Sequence, residues 1–507
     1  MKINKGQKEF LAIVSIAVLS KLIIHFFANG NYGFHRDELL HLAVSEHLDW
    51  GFMEFPPLVA VFGKIATTFF GDSLFAVRAL PTLAGVLILI LTAKTVKELS
   101  GNLISLILAC LSFLGVFAFW RNHTLFQPVV FDQFFWTLGS FWLVRFVKTT
   151  HYKYLIFIGI TAGLGLLNKY TMLFWGVGLA ISLLFHEKGS VYKQKWIWLA
   201  GAISLLIFLP NLIWQSQHNW PVIGHLTGLY EVQLEESSRL DFLTSQFFGI
   251  NPFNFPIWLG GLLALFLSKD LKKYKPLGVL FIVSGLVLFL AKGRGYYFYA
   301  AYPVLLASGS VWIGNQFEKK KLAWLVPIYG AIILVTCLLY LPNLTPILPI
   351  EKYVEYAEIQ TNEEGRLEGL TNDYADMFGW EEQVALVDSV YRTLSETEKS
   401  NCIIWAENYG EAGAISHLGK KYNLPKPTCK HGSFWLWGAE SNDGEIAISV
   451  GNEDDAVDYF FEEKVLIKTI KHKYAIDEEH NIPLYLCRKP RIKLKDYWPQ
   501  YESVIFE

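Results

Sequence analysis

One short stretch holds more acid–base groups than a loop beside a membrane needs. It reads "GFHRDELLHLAVSEHLDWG" and spans residues 33–51. Its titratable side chains are Arg36, Asp37, Glu38, His41, Glu46 and His47. A carboxylate held here can take a proton from an acceptor hydroxyl or amine, so the stretch is a candidate for general-base chemistry.

A further carboxylate lies inside an apolar, aromatic segment. Asp132 stands within "LFQPVVFDQFFWTLGSFW", near the outer end of a predicted membrane span. A charged group at such depth is expected to face the bundle interior or a watery cavity, and to be functional. The alternative is an aspartate that bonds a neighbouring helix and serves packing.

Cations and tyrosines gather at two other span ends. They are Lys169 in "GLGLLNKYTML", and Lys292, Arg294, Tyr296, Tyr297 and Tyr299 in "AKGRGYYFYAAYPVLL". Basic groups at headgroup depth suit the phosphate of a lipid carrier, and the neighbouring Gly293 and Gly295 would let a backbone approach a ligand. An ordinary aromatic belt would also produce the tyrosines. Carboxylates and cations together favour transfer from a lipid-phosphate donor.

These groups need a membrane bundle to position them. The chain of 507 residues is 52% hydrophobic and only 18% charged, with mean hydropathy +0.31, which indicates an α-helical polytopic membrane protein. The first apolar run lacks a small-residue cleavage site, so we interpret it as a retained span. The eleven predicted spans are 9–28, 76–96, 103–120, 125–146, 153–168, 170–186, 196–214, 253–268, 276–291, 297–315 and 322–341.

Basic residues occur beside every second connection, which predicts that these connections are cytoplasmic. They are Lys2, Lys5 and Lys8; Lys94 and Lys97; Arg145, Lys148 and Lys153; Lys188, Lys193 and Lys195; Lys269, Lys272, Lys273 and Lys275; and Lys319, Lys320 and Lys321. The stretch 33–51, the loop 215–251 and the C-terminal tail then lie on the outer side.

The first outer loop is predicted to hold two helices along the membrane surface. Asp37 and His41 share one face of the first helix, together with Ser45, while Leu39, Leu42 and Ala43 can lie against lipid or protein. The second helix comes from "MEFPPLVAVFGKIATTFFG", which begins with Glu54. The alternative is a re-entry loop whose charges are solvated caps.

The chain divides into a membrane module, 1–342, and a soluble domain, 343–507. The second part has 17 Lys and Arg against 30 Asp and Glu, within a chain of net charge −2. It mixes a helical pattern, "EEQVALVDSVYRTL", with strand-like runs, "NCIIWA", "SFWLWG" and "EIAIS", which predicts an α+β extracytoplasmic domain. Five cysteines without metal-ligand spacing are uninformative, although one disulfide could form in this part. No basic face favours nucleic acid.

Several blocks together resemble the family 39 glycosyltransferases, membrane enzymes of the GT-C group that include protein O-mannosyltransferases and lipid A aminoarabinose transferases. The resemblance covers about residues 30–310 and rests on "YGFHRDELLHLA", "WGFMEFPPLVA", "LFQPVVFDQFFW", "GLGLLNKYTMLF", "NLIWQSQHNWPV" and "GRGYYFYAAYP". The tail, with "ADMFGWEEQVALV", "NYGEAGAI" and "GSFWLWG", resembles that of a bacterial subgroup.

The resemblance implies a GT-C fold and an inverting transfer from a polyprenyl-phosphate-linked sugar on the outer face of the bacterial cytoplasmic membrane. The acceptor is a glycan, lipid or protein. The resemblance places the catalytic acidic residue at Asp37 with Glu38 as its partner, and a second acidic position at Asp132. Glu54 and His41 join the substrate-binding candidates.

The aminoarabinose transferases carry a lysine where this chain has Phe55, so Lys169, Lys292, Arg294, Tyr296 and Tyr297 are the candidates for the donor phosphate. Some relatives bind a divalent metal near this loop. His218 and His225 are its candidate ligands here, but their spacing does not establish a site.

Two other classes of protein explain the sequence less well. A transporter or flippase for a lipid-linked or polar solute would place its charges near the midplane and often show inverted repeats, but the charges here concentrate at one interface and no repeat is visible. A sensor with a receptor-like outer domain would leave Asp132 and Arg294 unexplained.

The distribution of basic residues predicts that the C-terminus is extracytoplasmic. A periplasmic reporter enzyme fused after Glu507 should be active, and a reporter that functions only in the cytoplasm should be silent at the same position. Fusions at Lys188 reverse both signals and serve as the control. Cytoplasmic activity of the Glu507 fusion would contradict the orientation.

Overall fold

The computed structural model describes residues 4–231, 238–362, 367–439 and 444–506. Up to residue 340 the described chain is built from helices that follow the apolar runs of the sequence. They are α1 (Lys5–Ala28), α2 (Arg36–Val44), α3 (Leu58–Phe70), α4 (Leu74–Glu98), α5 (Leu103–Leu114), α6 (Phe117–Asn122), α7 (Pro128–Thr149), α8 (Lys153–Asn168), α9 (Met172–Leu183), α10 (Lys195–Gln217), α11 (Pro221–Leu229), α12 (Arg239–Gly249), α13 (Phe255–Leu267), α14 (Lys275–Leu290), α15 (Tyr302–Lys319) and α16 (Leu325–Tyr340). Part of the predicted outer loop 215–251, residues 232–237, lies outside the described residues.

The apolar helices support a multi-pass membrane protein. Within the described ranges, five helices are long and apolar enough to cross a membrane, or six if the bent pair Arg239–Gly249 and Pro252–Leu267 forms one span. Each predicted span coincides with helix, although the span expected at 103–120 is two helices, because the chain breaks at Gly115 and Val116. The number eleven and the orientation stay predictions.

Small residues let the membrane helices approach to backbone contact. A Cβ atom on Gly309 of α15 would lie 1.8 Å from the carbonyl oxygen of Ile257 in α13. A Cβ atom on Gly159 of α8 would lie 2.3 Å from the carbonyl oxygen of Ala200 in α10. Helices in lipid associate largely through such close packing, since lipid tails are as apolar as the side chains.

The C-terminal region, residues 350–506, combines helices with a mixed sheet. Its helices are α17 (Ile350–Tyr356), α18 (Asn372–Ala375), α19 (Trp380–Thr393), α20 (Glu396–Ser400), α21 (Tyr409–Leu418), α22 (Ser433–Trp437), α23 (Asp454–Phe460) and α24 (Leu494–Tyr497). Its strands are β1 (Gln360–Thr361), β2 (Leu367–Glu368), β3 (Cys402–Ala406), β4 (Pro427–Thr428), β5 (Ile446–Val450), β6 (Phe461–Lys471) and β7 (Asn481–Pro490). The larger sheet has the order β4-β3-β5-β7-β6, with β3 parallel to β4 and β5, and β7 antiparallel to β5 and β6.

Most of the elements predicted for this region are confirmed. The helix expected in "EEQVALVDSVYRTL" is α19, and the strands expected in "NCIIWA" and "EIAIS" are β3 and β5. The strand predicted at "SFWLWG" is wrong, because these residues form α22. Its first residue, Ser433, points its backbone N–H and its hydroxyl at Glu54, and a helix start provides that arrangement whereas a sheet ladder would occupy the N–H. None of the five cysteines is in a disulfide, so the disulfide that the sequence left open is not formed.

The segment after α1 forms two helices, α2 and α3, as predicted. Leu39 and Leu42 of α2 are buried, and the partner that covers them includes α21 of the C-terminal region. A Cβ atom on Gly413 of α21 would lie 2.8 Å from the Leu39 side chain, so the two helices touch directly. Of the two surroundings expected for this face, lipid or protein, the structure has protein.

The Gly309 contact predicts a position-specific stability loss. Gly309→Ala should destabilise the folded protein by about 1–3 kcal/mol, because the added methyl group must push α15 away from α13. Gly201→Ala is the matched control in α10, since a Cβ atom there meets nothing within 4 Å. Thermal unfolding in detergent compares the two variants, and equal midpoints would contradict the proposed close packing.

Candidate active site

The N-terminus of α2 places two carboxylates side by side. His35 caps the helix: its ring Nδ1 accepts from the Asp37 backbone N–H at 3.1 Å. The Glu38 carboxylate in turn accepts from the His35 backbone N–H at 3.0 Å. This capping box fixes where α2 begins, and the helix dipole favours negative charge in its first turn.

Glu38 is held in a buried ion pair. Arg78 of α4 donates to its Oε2 at 2.8 Å, and neither side chain is exposed. The backbone N–H of Phe126 donates to Oε1 at 2.9 Å, while Arg78 also donates to the carbonyl oxygens of Asn31 and Gly33. Both Glu38 oxygens are thus bonded to protein donors, and these bonds hold the start of α2 against α4.

Sequence reasoning missed Arg78, although a signal was present. An arginine in "LFAVRALPTLAG" interrupts an apolar span in the same way as Asp132 does. The rule that charged residues in such segments face the bundle interior applies to both.

Asp37 is oriented by donors from two other parts of the chain. The Gln127 side chain donates to Oδ2 at 2.9 Å, and the Tyr409 hydroxyl donates to Oδ1 at 3.3 Å. Burial raises the pKa of Asp37, but His35, His41 and Arg36 outweigh it, and the pKa is lowered overall. Asp37 is therefore a carboxylate at neutral pH, which a general base requires.

His41 lies one helical turn after Asp37 and is buried. Its Nδ1–H donates to the carbonyl oxygen of Phe126 at 3.1 Å. Burial lowers the pKa of His41 to about 4, although Asp37 opposes this. The ring is thus neutral at neutral pH, and its Nε2 can accept a hydrogen bond from a polar group of a substrate.

Asp132 is almost fully buried within α7. The Thr171 hydroxyl donates to its Oδ2 at 2.7 Å, whereas Oδ1 has no hydrogen-bond partner among the described residues. Gln127, which binds Asp37, is the N-cap of the same helix. The N-cap of α7 therefore contacts Asp37, and the same helix carries Asp132 a little over one turn after its N-cap.

The predicted cations lie near these carboxylates to different degrees. The charge of Lys169 acts on both His41 and Asp132, and its Nζ lies 4.6 Å from the centre of the Tyr297 ring. Lys292 instead stacks over Tyr230, at 5.4 Å.

Arg294 belongs to the same neighbourhood. Its charge and that of Arg121 both act on the Tyr296 hydroxyl, and Arg121 in turn acts on Asp37. The rings of Tyr296 and Tyr297 meet edge to face at 4.5 Å. Arg121, which sequence reasoning missed, is thus a link between the tyrosines and Asp37.

The sequence predicted that Gly295 would let the backbone approach a ligand, but in the structure Gly295 packs against another helix. A Cβ atom on Gly295 would lie 1.9 Å from the Ser245 hydroxyl oxygen of α12. Gln246 also donates to the Gly295 carbonyl oxygen at 2.9 Å. Gly295 therefore allows its segment to pack closely against α12.

Glu54 is bound by the C-terminal region. Its carboxylate accepts from the backbone N–H of Ser433 at 2.7 Å and from the Ser433 hydroxyl at 2.5 Å. Burial raises the pKa of Glu54, while the Ser433 bonds oppose the rise. The predicted substrate contact at Glu54 is thus occupied by protein here.

Ion pairs hold the C-terminal region around Asp37. Arg36 donates to Asp376 at 2.6 Å and to Glu478 at 2.7 Å. Arg121 donates to Asp373 through Nε and through Nη2, the latter at 2.6 Å. These pairs hold the C-terminal region next to the start of α2.

The donor set does not fit a metal. His218 stacks on Trp214 and bonds its carbonyl oxygen, while His225 packs against Phe506. The described residues contain no group of three or more His, Cys, Asp or Glu side chains placed to hold a metal ion.

Comparison with known proteins connects this geometry to a group of membrane proteins. Residues 54–214 match the family model of the dolichyl-phosphate-mannose-protein mannosyltransferases. The chain is 24% identical over 249 residues to the lipid A galacturonosyltransferase RgtD of Rhizobium johnstonii, covering 48% of this chain and 52% of that protein. The chain thus matches about half the length of this curated relative.

Solved structures share the fold. ArnT from Cupriavidus metallidurans bound to undecaprenyl phosphate superposes with a TM-score of 0.60 at 12% identity, covering 94% of this chain and 98% of that chain. The apo form of the same protein gives a TM-score of 0.58. At this identity the likeness establishes a common architecture.

The Glu38–Arg78 pair predicts a large loss of stability when it is broken. Glu38→Gln should cost about 3–5 kcal/mol, because Arg78 remains charged and buried without its counter-ion. Glu46→Gln in the same loop breaks a partly exposed pair with Lys420 and should cost at most about 1 kcal/mol. The apparent free energy of unfolding in an SDS titration compares them, and similar values would contradict the anchoring role.

Proposed function

We propose that the chain is a membrane glycosyltransferase of the GT-C group, and that it moves a sugar from a polyprenyl-phosphate-linked donor to an acceptor, with inversion. The observation that carries the proposal is Asp37: an ionised carboxylate, oriented through both oxygens, in a neighbourhood with cations that suit a phosphate. The fold shared with a protein crystallised with undecaprenyl phosphate supports this class of donor.

Asp37 acts as the general base in this proposal. Its carboxylate accepts the proton of the acceptor hydroxyl or amine as the acceptor atom bonds to the anomeric carbon of the sugar. The bond between that carbon and the phosphate oxygen breaks, and its electron pair leaves with the polyprenyl phosphate. A single displacement from the face opposite the phosphate inverts the anomeric configuration.

Cations stabilise the phosphate as its charge develops. Lys169 is the first candidate, because its charge also acts on His41 and Asp132 and its ammonium lies against Tyr297. Arg294 approaches from the side of Tyr296. The position that carries a lysine in the aminoarabinose transferases is Phe55 here, and its ring packs against His41. We therefore assign the stabilisation of the phosphate charge to Lys169 and Arg294 instead of a residue at position 55.

The location proposed for this reaction is the outer face of the bacterial cytoplasmic membrane. The one-sided basic connections support this orientation, and the acidic C-terminal region then covers the site from the extracytoplasmic side. Asp132, with one unpartnered oxygen, is proposed to orient substrate from within the bundle.

Asp37→Asn tests the proposal directly. The amide keeps the shape: its one oxygen can accept from Gln127, and its NH2 group can donate to the Tyr409 hydroxyl oxygen. It cannot take a proton, so transfer should slow by about 10²–10⁴-fold. The measurement is single-turnover loss of polyprenyl-phosphate sugars, quantified by mass spectrometry, when purified protein in nanodiscs meets a lipid extract of its host.

Asp49→Asn is the matched control in the same loop, because its side-chain oxygen can still accept from Trp214. It should transfer at the wild-type rate. Near-wild-type transfer by Asp37→Asn would remove Asp37 from the mechanism, and absence of turnover by the wild type itself would favour a transporter or flippase.

A further inference from the structure

Helix α21 of the C-terminal region lies directly on α2, the helix that carries Asp37. A Cβ atom on Gly413 would lie 2.8 Å from Leu39, and one on Gly410 would lie 3.2 Å from the Cβ of Arg36. Only glycine allows this approach, because any larger residue would separate the helices. The position of α21 relative to α2 is therefore closely defined.

The first residue of α21 is Tyr409, and its hydroxyl reaches the site. It donates to Asp37 Oδ1 at 3.3 Å, across 372 positions of sequence. Asn408 caps α21 by accepting from the N–H groups of Gly410 and Glu411, which fixes the turn from which Tyr409 projects. The Tyr409 ring packs edge-on against His431, at 5.7 Å.

We propose that Tyr409 is a positioning residue for the transfer reaction, supplied by the C-terminal region to a base that belongs to the membrane module. Its hydroxyl holds Asp37 Oδ1 while Gln127 holds Oδ2, so the two donors fix the plane of the carboxylate. The inference rests on the proposed function of Asp37.

Two donors leave the base free to act. An ionised carboxylate offers about four lone-pair directions, so two remain for the acceptor proton. Without such donors the terminal torsion of aspartate is broad, and the remaining lone pairs point in many directions. Correct orientation of a catalytic group can contribute strongly to rate, which offsets the basicity that the hydrogen bonds remove.

The C-terminal region is therefore part of the active site and more than a cover. Its ion pairs to Arg36 and Arg121 hold it next to Asp37, and α21 supplies the Tyr409 hydroxyl that donates to Asp37 Oδ1. Accordingly, we expect the site to be incomplete in protein that lacks this region.

The test replaces Tyr409 with Phe, which keeps the ring against His431 and removes only the hydroxyl. Transfer should fall about tenfold at pH 7, as expected for a lost hydrogen bond to a charged group. The donor KM should stay the same. Tyr485→Phe is the matched control, because its hydroxyl also donates to an aspartate, Asp454, at 2.8 Å in the same region.

The pH profile separates positioning from a structural role. The Tyr409 bond lowers the pKa of Asp37, so its removal raises that pKa and moves the acid limb of the rate profile to higher pH. Other charged or titratable groups that face Asp37 are the same in all variants: His35, Arg36, His41, Arg121 and Asp376. Tyr485→Phe should leave the limb in place.

A substrate-free measurement runs in parallel. Thermal unfolding of wild type, Asp37→Ala, Tyr409→Phe and the double variant in nanodiscs should show non-additive midpoints, because either single variant already removes the bond between the two side chains. Additive midpoints, or an unshifted acid limb with a wild-type rate, would overturn the inference. Loss of folded Tyr409→Phe protein, with Tyr485→Phe intact, would also overturn it, since the role would then be structural.

Different results would contradict the general-base role of Asp37 and the positioning role of Tyr409. If Asp37→Asn is inactive while Tyr409→Phe matches wild type, the positioning role is wrong and the proposed function stands. If Asp37→Asn transfers normally, the base is wrong, and the role of Tyr409 is wrong with it.

Discussion

The buried ion pair between Glu38 and Arg78 is the constraint on which the candidate site depends. Removing two charges from water costs several kcal/mol for each ion, and only complete hydrogen bonding offsets it. Glu38 meets that condition by also accepting from the backbone N–H groups of Phe126 and His35. These bonds join α2 to α4 and to the start of α7. Asp37, the residue before Glu38, consequently cannot move independently of the membrane bundle.

The same helix turn is shared by two neighbouring carboxylates with opposite roles. Glu38 has its oxygens occupied and gives rigidity, whereas Asp37 is oriented by two donors and keeps lone pairs free. The difference arises from their partners: a fully desolvated guanidinium for Glu38, and neutral donors from Gln127 and Tyr409 for Asp37. Adjacent positions on a helix face different directions, so one helix N-terminus holds both the anchored Glu38 and the proposed base, Asp37.

Much of the architecture follows from the sequence, because apolar runs of membrane length report directly on helices. Asp37 could also be chosen as a candidate from the sequence, because a dense set of titratable groups beside a span is unusual. Tyr409 was not, because its contact spans 372 positions and nothing local marks it. The helix at "SFWLWG" was missed for a similar reason: aromatic residues favour strands, but Ser433 starts a helix that binds distant Glu54. Arg78 could have been found by the rule that selected Asp132.

In the proposed reaction, the lowered pKa of Asp37 bears on when the proton of the acceptor moves. A carboxylate more acidic than usual cannot hold a hydroxyl proton before the acceptor attacks. The proton can move only as the acceptor oxygen bonds to the anomeric carbon, when that oxygen becomes positive and its own acidity rises sharply. At that moment the position of the carboxylate matters more than its basicity. Hydrogen bonds that lower basicity and fix geometry, as those from Gln127 and Tyr409 do, therefore favour the reaction rather than oppose it.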